Sequence, residues 1–205
     1  SQFLAAANPF VFGTFTLYEG RSSYNLNQVS ITHHFVELAG EQPGIYYGYY
    51  FLELADYFGQ EGTDEKESMN LLYVTVKALL NPHIEDRLVR CIFELRMMAA
   101  QGLCPSLFHC VCCERQPVEG EEIFFSQQNH GILDKHCLGQ VNDAKRISAP
   151  ALYAMQYIVT TSLGKLYTFT VTEEVLYELE RHIHTYVASN TEKRFKSLEI
   201  LEIMS

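Results

Sequence analysis

The chain has 205 residues, of which 47% are hydrophobic and 20% charged, and its formal net charge is -10. This composition is too apolar for a disordered protein and suffices for a sizeable hydrophobic core. No segment has the roughly eighteen consecutive apolar residues of a membrane span, so we expect a cytoplasmic protein without membrane association. The negative charge argues against nucleic-acid binding over the whole surface, because phosphate neutralisation needs clustered Lys and Arg.

The first predicted elements are two β-strands. Residues 10–18 and 24–36 are rich in aromatic and β-branched side chains, and the short segment between them contains Gly20 and Arg21. Such residues favour strands, and a short connection with glycine favours a hairpin. Because two strands do not make an independently stable sheet, we expect further strands to complete it.

Helices are predicted after the hairpin. From Gly44 onward the hydrophobic period changes from two to about 3.6 residues, which is typical of amphipathic helices. The predicted helices cover residues 44–59, 65–80, 84–101, 150–161, 172–188 and 191–205. Pro82 and Gly102 fit helix ends, since proline stops a helix and glycine often follows one. The sequence therefore predicts an α+β protein in which a β-hairpin precedes a helical domain.

Residues 103–141 break the helical periodicity and contain most of the cysteines. Cys110 and Cys113 have the spacing with which a pair of thiolates grips one side of a zinc ion, and Cys137 is the natural third ligand. Such a segment lacks the apolar content to fold unaided and is stabilised by its metal. We therefore predict an inserted zinc-finger-like loop with a structural zinc ion. The alternative is a set of buried thiols without metal.

The sequence leaves the fourth ligand open. Asp134 stands three residues before Cys137, and a carboxylate oxygen can coordinate zinc. The other candidates are His136, His130, His109 and Cys112. Ligands that are clustered on a loop, with cysteine in the majority, usually close the coordination sphere. This favours a structural role over a catalytic zinc in a hydrolase built on Asp134, His136 and Cys137.

The basic residues are concentrated in a few segments. The candidates for contacts with nucleic acid or a partner are Arg21, Arg87, Arg90, Arg96, Lys193, Arg194 and Lys196. Clustered cations of this kind bind phosphates, or they form a solvated helix face. For Arg96 the alternative is a salt bridge between helices, with Glu94, Glu85 or a residue of another helix as partner.

The order of these features resembles the bacterial RecO family of recombination mediators. The matching phrases are short and are distributed over nearly the whole chain in the same order. They are Asn8-Pro9-Phe10 through Gln28, Tyr50 to Asp56, Phe93 to Arg96 ahead of Gly102 and Pro105, and Lys196-Ser197-Leu198.

The resemblance implies a domain organisation. Residues 1–40 would be the C-terminal part of an OB-fold, whose first strands would precede this chain. Residues 41–205 would be the helical RecO-like domain, with the zinc-binding insertion at about 103–141. The hairpin aromatics Phe10, Phe12, Phe15 and Tyr18 would then belong to the barrel core, and the alternative is that they are exposed and stack on bases. Zinc modules of the family end with a second Cys-x2-Cys pair, and Asp134 departs from this pattern.

The resemblance also implies a function. It predicts a non-enzymatic mediator of recombinational DNA repair that binds single- and double-stranded DNA and anneals complementary strands. The mediator would help to load RecA onto strands coated by single-stranded DNA-binding protein, in a nucleoid-associated location. Its partners would be RecR and the acidic, aromatic-ended tail of single-stranded DNA-binding protein, which suits an apolar groove beside Arg87, Arg90 or Arg96. The alternatives are a protein-interaction adaptor without DNA binding and the zinc-dependent hydrolase.

Overall fold

The computed structural model describes residues 2–204. It is an α+β structure in which a β-hairpin precedes a helical domain, as the sequence predicts, with a second, smaller sheet between two of the helices. Within these residues the elements are, in chain order, α1 (Gln2–Ala6), β1 (Val11–Glu19), β2 (Tyr24–His34), α2 (Gly44–Phe58), α3 (Lys66–Leu79), α4 (Asp86–Ala100), β3 (Ile123–Ser126), β4 (Gly131–Asp134), β5 (Lys145–Ile147), α5 (Ala149–Thr160), α6 (Glu173–Asn190) and α7 (Lys196–Met204).

The β-hairpin is long and irregular. Its strands β1 and β2 pair antiparallel, and the register shifts after Phe12 and again after Thr16. At the first shift the strands approach so closely that a Cβ atom on Gly13 would lie 2.3 Å from the carbonyl oxygen of Ser30. A side chain does not fit there, which explains the glycine at this position.

The base of the hairpin packs on the helical domain. Phe10 is buried, and the ring of Phe12 makes an edge contact with Tyr73 of α3, with ring centroids 5.5 Å apart. Farther along β1, Phe15 and Tyr18 are 40% and 69% exposed. The outer aromatics thus lie on the surface of this chain, and their place in a barrel core remains a prediction.

The central helix of the domain is α4. It packs against α2, α3, α5 and α6, and most of its side chains are buried. One face of α4 is apolar and buried throughout, and it consists of Leu88, Cys91, Ile92, Leu95 and Met98. On the side of α2, the rings of Phe93 and Phe51 have centroids 4.4 Å apart. Within residues 2–204, no helix is long and apolar enough to cross a membrane.

The segment between α4 and α5 contains a three-stranded antiparallel sheet in the order β4-β3-β5. Phe125, Ile132 and Ile147 bring this sheet into the main hydrophobic core, while Cys110 and Leu133 belong to a separate small cluster. The segment therefore does not lack apolar content of its own, contrary to our expectation. The strands were not predicted, because three or four residues are too few to show an alternating pattern.

Candidate metal centre and cationic surfaces

Three cysteine thiols converge beside the small sheet. Cys110 and Cys113 lie in a turn of the segment between α4 and β3, and Cys137 lies in a short 3-10 helix directly after β4. Their sulfur atoms are all within 4.8 Å of one another. The turn is closed by a hydrogen bond of 2.8 Å from the Glu114 N–H to the Cys110 carbonyl, and Glu114 has a left-handed φ of 60°. The three sulfurs therefore form a group that could hold a metal ion.

The surroundings of these sulfurs suit thiolates that bind a cation. Burial raises the pKa of Cys110, but the backbone N–H groups of Asp134, Cys113 and Cys112 point at its sulfur, and the net result is a pKa lowered to about 7. Burial and the neighbouring Cys113 and Cys110 raise the pKa of Cys137 to about 12. Thiolates packed this closely repel one another unless a cation neutralises them. The donor set therefore fits a thiophilic metal such as zinc.

The Asp134 carboxylate has protein partners. Arg115 Nε donates a hydrogen bond of 2.6 Å to its Oδ2 atom, and the His136 N–H donates one of 3.3 Å to Oδ1. Arg115 also forms an ion pair of 2.9 Å with Glu121. The hydrogen bond from Arg115 lowers the pKa of Asp134. In the described part of the chain the carboxylate is not in the metal-ligating group, and its role as a ligand remains a prediction.

The other candidates for the fourth position differ in their surroundings. Cys112 is exposed and, in the described part of the chain, is not in the group of three thiols. The Nδ1 atom of His130 instead lies 3.3 Å from the Tyr186 hydroxyl. Across residues 2–204, no histidine joins the group of three thiols.

Arg87, a predicted contact residue, is held by three carboxylates. Its guanidinium donates hydrogen bonds of 2.9 and 2.6 Å to Glu180, and it bonds Glu173 at 2.7 Å and Glu85 at 3.0 Å. The hydrogen bond to Glu180, followed by that to Glu173, raises the pKa of Arg87. The local charge is therefore negative, and this residue is not a free cation.

Arg90 belongs to a buried polar network. Its Nε atom donates a hydrogen bond of 2.8 Å to Oε1 of Glu94, which is completely buried. The Tyr50 hydroxyl donates to the same oxygen at 2.7 Å, and the Arg90 guanidinium lies 5.2 Å from the Tyr50 ring centroid. The other carboxylate oxygen, Oε2, lies 3.5 Å from Nε2 of His184. The network fixes Arg90 inside the domain, although its edge still borders a cleft.

Arg96 binds the end of a neighbouring helix. Its Nη1 atom donates hydrogen bonds of 3.2 Å to the Ile158 carbonyl and 2.7 Å to the Val159 carbonyl, both in the last turn of α5. The carbonyls at a helix C-terminus lack partners within the helix, and a cation there is favourable. Arg96 therefore stabilises the contact between α4 and α5 instead of forming the salt bridge considered above.

The remaining predicted cations are on the surface. Arg21, Lys193, Arg194 and Lys196 are exposed, and none of them forms an ion pair within the described residues. Lys193 and Arg194 line a cleft of about 450 Å³ between α4, α6 and α7. Apolar side chains of Val187, Phe195 and Leu198 line the same cleft.

A second group of exposed cations was not predicted from the sequence. Lys145 and Arg146 lie on β5, and Arg181 of α6 donates a hydrogen bond of 3.1 Å to the Arg146 carbonyl. These three residues are named here the β5–α6 basic face. The acidic residues nearby are Glu122, 3.7 Å from Arg146, and Glu178. The adjacent Lys145-Arg146 pair was the available signal, but the sequence does not indicate that Arg181 lies beside it.

Comparisons with known proteins agree on one family. The sequence model described as "Recombination protein O C terminal" matches residues 44–199. A DNA repair protein RecO from Alkaliphilus metalliredigens is 27% identical over 98% of this chain and 81% of its own length. The protein of the same name from Symbiobacterium thermophilum is 27% identical over 100% of this chain and 81% of its own length. That from Clostridium perfringens is 28% identical over 100% of this chain and 89% of its own length.

Proposed function

The chain belongs to the RecO family of DNA repair and recombination proteins, and from this premise we propose that it binds single- and double-stranded DNA and anneals complementary strands. We further propose that it helps to load RecA onto strands coated by single-stranded DNA-binding protein. The observation that carries the proposal is the family match over residues 44–199, which include all helices from α2 to α6. The family is one of mediators and not of enzymes, so this function requires binding energy and no catalytic residues.

DNA binding by this acidic chain needs local cationic surfaces, because the net charge is -10. Among the predicted residues, Arg21 and the cluster Lys193, Arg194 and Lys196 are free to contact phosphates. Arg87, Arg90 and Arg96 have protein partners and are weaker candidates. The β5–α6 basic face adds three exposed cations to the proposed contact surface.

The proposed site for the tail of single-stranded DNA-binding protein is the cleft between α4, α6 and α7. Its exposed cations Lys193 and Arg194 suit the carboxylates of an acidic tail, and its apolar lining suits a terminal aromatic ring. Glu192, Glu199 and Glu202 line the same cleft, so the two cations have to outweigh local negative charge. RecR is the other proposed partner, and no surface is assigned to it.

The proposed metal is a structural zinc ion held by Cys110, Cys113 and Cys137. Bound there, zinc would cross-link the turn that contains Cys110 and Cys113 to the segment after β4 by neutralising the clustered thiolates. The turn is already docked on β4 by a hydrogen bond of 2.9 Å from the Val111 N–H to the Ile132 carbonyl. Zinc would thus stabilise the small sheet. The Asp134 carboxylate is held by Arg115 and is not free to act as the base of a hydrolase.

The proposed function is tested with fluorescently labelled single-stranded DNA and a labelled complementary strand. We expect the purified chain to bind the single strand, to bind less tightly as salt rises, and to accelerate annealing. Tail binding is measured separately with a labelled C-terminal peptide. If the peptide binds while neither DNA binding nor annealing is detected, the protein is an adaptor and the DNA-binding proposal is wrong.

A further inference from the structure

We propose that a groove beside α5 is a stacking site for the bases of single-stranded DNA, and that Tyr153 makes binding there selective for single strands over duplex. The groove, named here the α5 groove, lies between α5 and the segment that leads into α6. Its aromatic and aliphatic lining consists of Tyr153, Tyr157, Phe169, Val171 and Val175. This inference rests on the proposed DNA binding and adds to it the form of DNA that this surface prefers.

The first step is the exposure of the aromatic rings. Tyr153 is 69% exposed and borders the α5 groove, of about 670 Å³, on one side and a second cleft, of about 420 Å³, on the other. Tyr157, one turn later on α5, makes an edge contact with Phe169, with ring centroids 5.2 Å apart. The groove thus combines one free ring with two rings that hold each other in place, which suits a flat aromatic ligand such as a base.

The second step is the opposite wall of the groove, which is a segment without regular secondary structure. Within residues 2–204, the backbone N–H groups of Phe169, Thr170 and Val171 form no hydrogen bond. They are free to donate to a base edge or to a phosphate. Thr168 and Thr172 line the same wall and add hydroxyl groups. The wall therefore suits a ligand with polar groups at its edges better than a purely apolar one.

The third step is the charge at the two ends of α5. Lys165 follows the helix, and the Tyr157 hydroxyl donates a hydrogen bond of 3.2 Å to its carbonyl. Lys165 is exposed and, in the described part of the chain, forms no ion pair. At the other end, Ser148 directly precedes α5 and lines a cavity together with Arg146 and Arg181 of the β5–α6 basic face. A strand laid along α5 would therefore meet cations at both ends.

The length of the helix fits this path. α5 has 12 residues, which corresponds to about 18 Å. Roughly five stacked nucleotides span this length, at about 3.4 Å for each phosphate of a strand. A single strand would thus place phosphates near the terminal cations and bases over the groove between them.

The groove itself is uncharged, and this favours bases over an acidic peptide. Among the described residues, no charged side chain lines it. Carboxylates of a peptide would therefore lack cationic partners inside the groove, whereas a neutral base needs none. Of the nearby acids, Glu173 is bound to Arg87 at 2.7 Å, and Glu178 accepts a hydrogen bond of 2.9 Å from the Ser148 N–H.

Stacking on Tyr153 distinguishes the two forms of DNA. The faces of bases in a duplex are covered by the neighbouring base pairs, and exposing one base costs a few kcal/mol. The faces of bases in a single strand are available without this cost. Loss of the Tyr153 ring should therefore weaken the binding of single strands and leave duplex binding unchanged.

The test uses the absence of tryptophan from the sequence. Tyr153→Trp introduces one indole ring, whose fluorescence is quenched when a base stacks on it. Tyr18→Trp is the matched comparison, because Tyr18 is also 69% exposed but lies on the hairpin. Each variant is titrated with a single-stranded oligonucleotide and with the duplex of the same length, and circular dichroism checks that it is folded.

We expect the single strand to quench Tyr153→Trp and the duplex to leave its fluorescence unchanged. Quenching of Tyr18→Trp without quenching of Tyr153→Trp would place the stacking on the hairpin and overturn the inference. If the wild type binds no DNA, the proposed function itself fails, which is a distinguishable result.

Affinity measurements provide a second readout. Tyr153→Ala should bind the single strand at least about fivefold more weakly, since stacking on one aromatic side chain contributes about this factor or more. Tyr153→Phe, which keeps the ring, should bind like the wild type. The salt dependence of Tyr153→Ala should stay unchanged, because no cation is lost. Equal weakening of single-strand and duplex binding, or a loss of tail-peptide binding alone, would contradict the inference.

Discussion

Replacing Arg96 by methionine removes the cation that binds the end of α5 while keeping an unbranched apolar side chain. In the wild type, the guanidinium donates hydrogen bonds to the carbonyls of Ile158 and Val159. These carbonyls lie in the last turn of α5, where no partner within the helix is available. Arg96 is half-buried, so water can replace the lost donors only in part.

The expected loss of stability follows from these contacts. A hydrogen bond that involves a charged group contributes about 1.5–3 kcal/mol. A cation at a helix C-terminus contributes about 0.3–1 kcal/mol. Because part of the site is solvated, we expect Arg96→Met to lower the free energy of unfolding by about 2–3 kcal/mol. For a chain of this size the melting temperature falls by about 4–12 °C.

The assay is urea denaturation followed by circular dichroism. Arg96→Lys, which keeps the charge, should retain roughly half of the lost stability. Arg194→Ala, an exposed arginine without ion pairs, should change it by less than about 0.5 kcal/mol. If Arg96→Met is as stable as Arg194→Ala but loses tail-peptide binding, Arg96 is a binding residue and the structural account is wrong.

Three further predictions concern the hairpin, the pH dependence and the metal. Gly13→Ala should lower the free energy of unfolding by about 1–3 kcal/mol, because the added Cβ would collide with the Ser30 backbone. Gly139→Ala is the control, since Gly139 has open space around it, and it should be neutral in the same urea denaturation assay. Burial, with smaller effects from Glu41 and Glu85, raises the pKa of Asp86 to about 6. The ionised carboxylate is therefore disfavoured in the folded state, and Asp86→Asn should raise the free energy of unfolding by about 1 kcal/mol at pH 8, after discounting for partial exposure. This gain should disappear as the pH falls towards 4, where the carboxyl group is protonated in the folded and the unfolded protein. A gain that is constant with pH would contradict the burial argument. Removing zinc with a chelator should lower the melting temperature by about 5 °C or more, and zinc added back should restore it; unchanged melting after verified metal removal would contradict the stabilising role.

The sequence predicts the long periodic elements and misses the short ones. Helices such as α4 and α6 show several turns of apolar periodicity, and their observed bounds lie within two residues of the predicted ones. Strands β3 to β5 are too short for a pattern, and Phe125 of β3 packs against His182 and Tyr186 of α6, which is far away in the chain. Tertiary packing, which the local pattern does not contain, determines these strands.

The candidate site shows the same limit. The spacing of Cys110, Cys113 and Cys137 predicts a group of thiols because ligand pairs are local features of the chain. The roles of the arginines depend instead on distant partners, such as Glu180 for Arg87. The sequence shows that an arginine lies on a predicted helix, but it does not show which carboxylate or carbonyl group that arginine contacts.

The most direct test of DNA binding as the central function is the salt dependence of affinity for labelled single-stranded DNA. The wild type is compared with a triple alanine variant of the β5–α6 basic face, at positions Lys145, Arg146 and Arg181. The affinity of the wild type should fall steeply as the salt concentration rises. Each phosphate contact contributes about 0.7 to the slope of the logarithm of the binding constant against the logarithm of the salt concentration for a single strand. Loss of the three cations should therefore reduce the magnitude of this slope by about 2. Absence of salt-sensitive binding by the wild type would contradict the account.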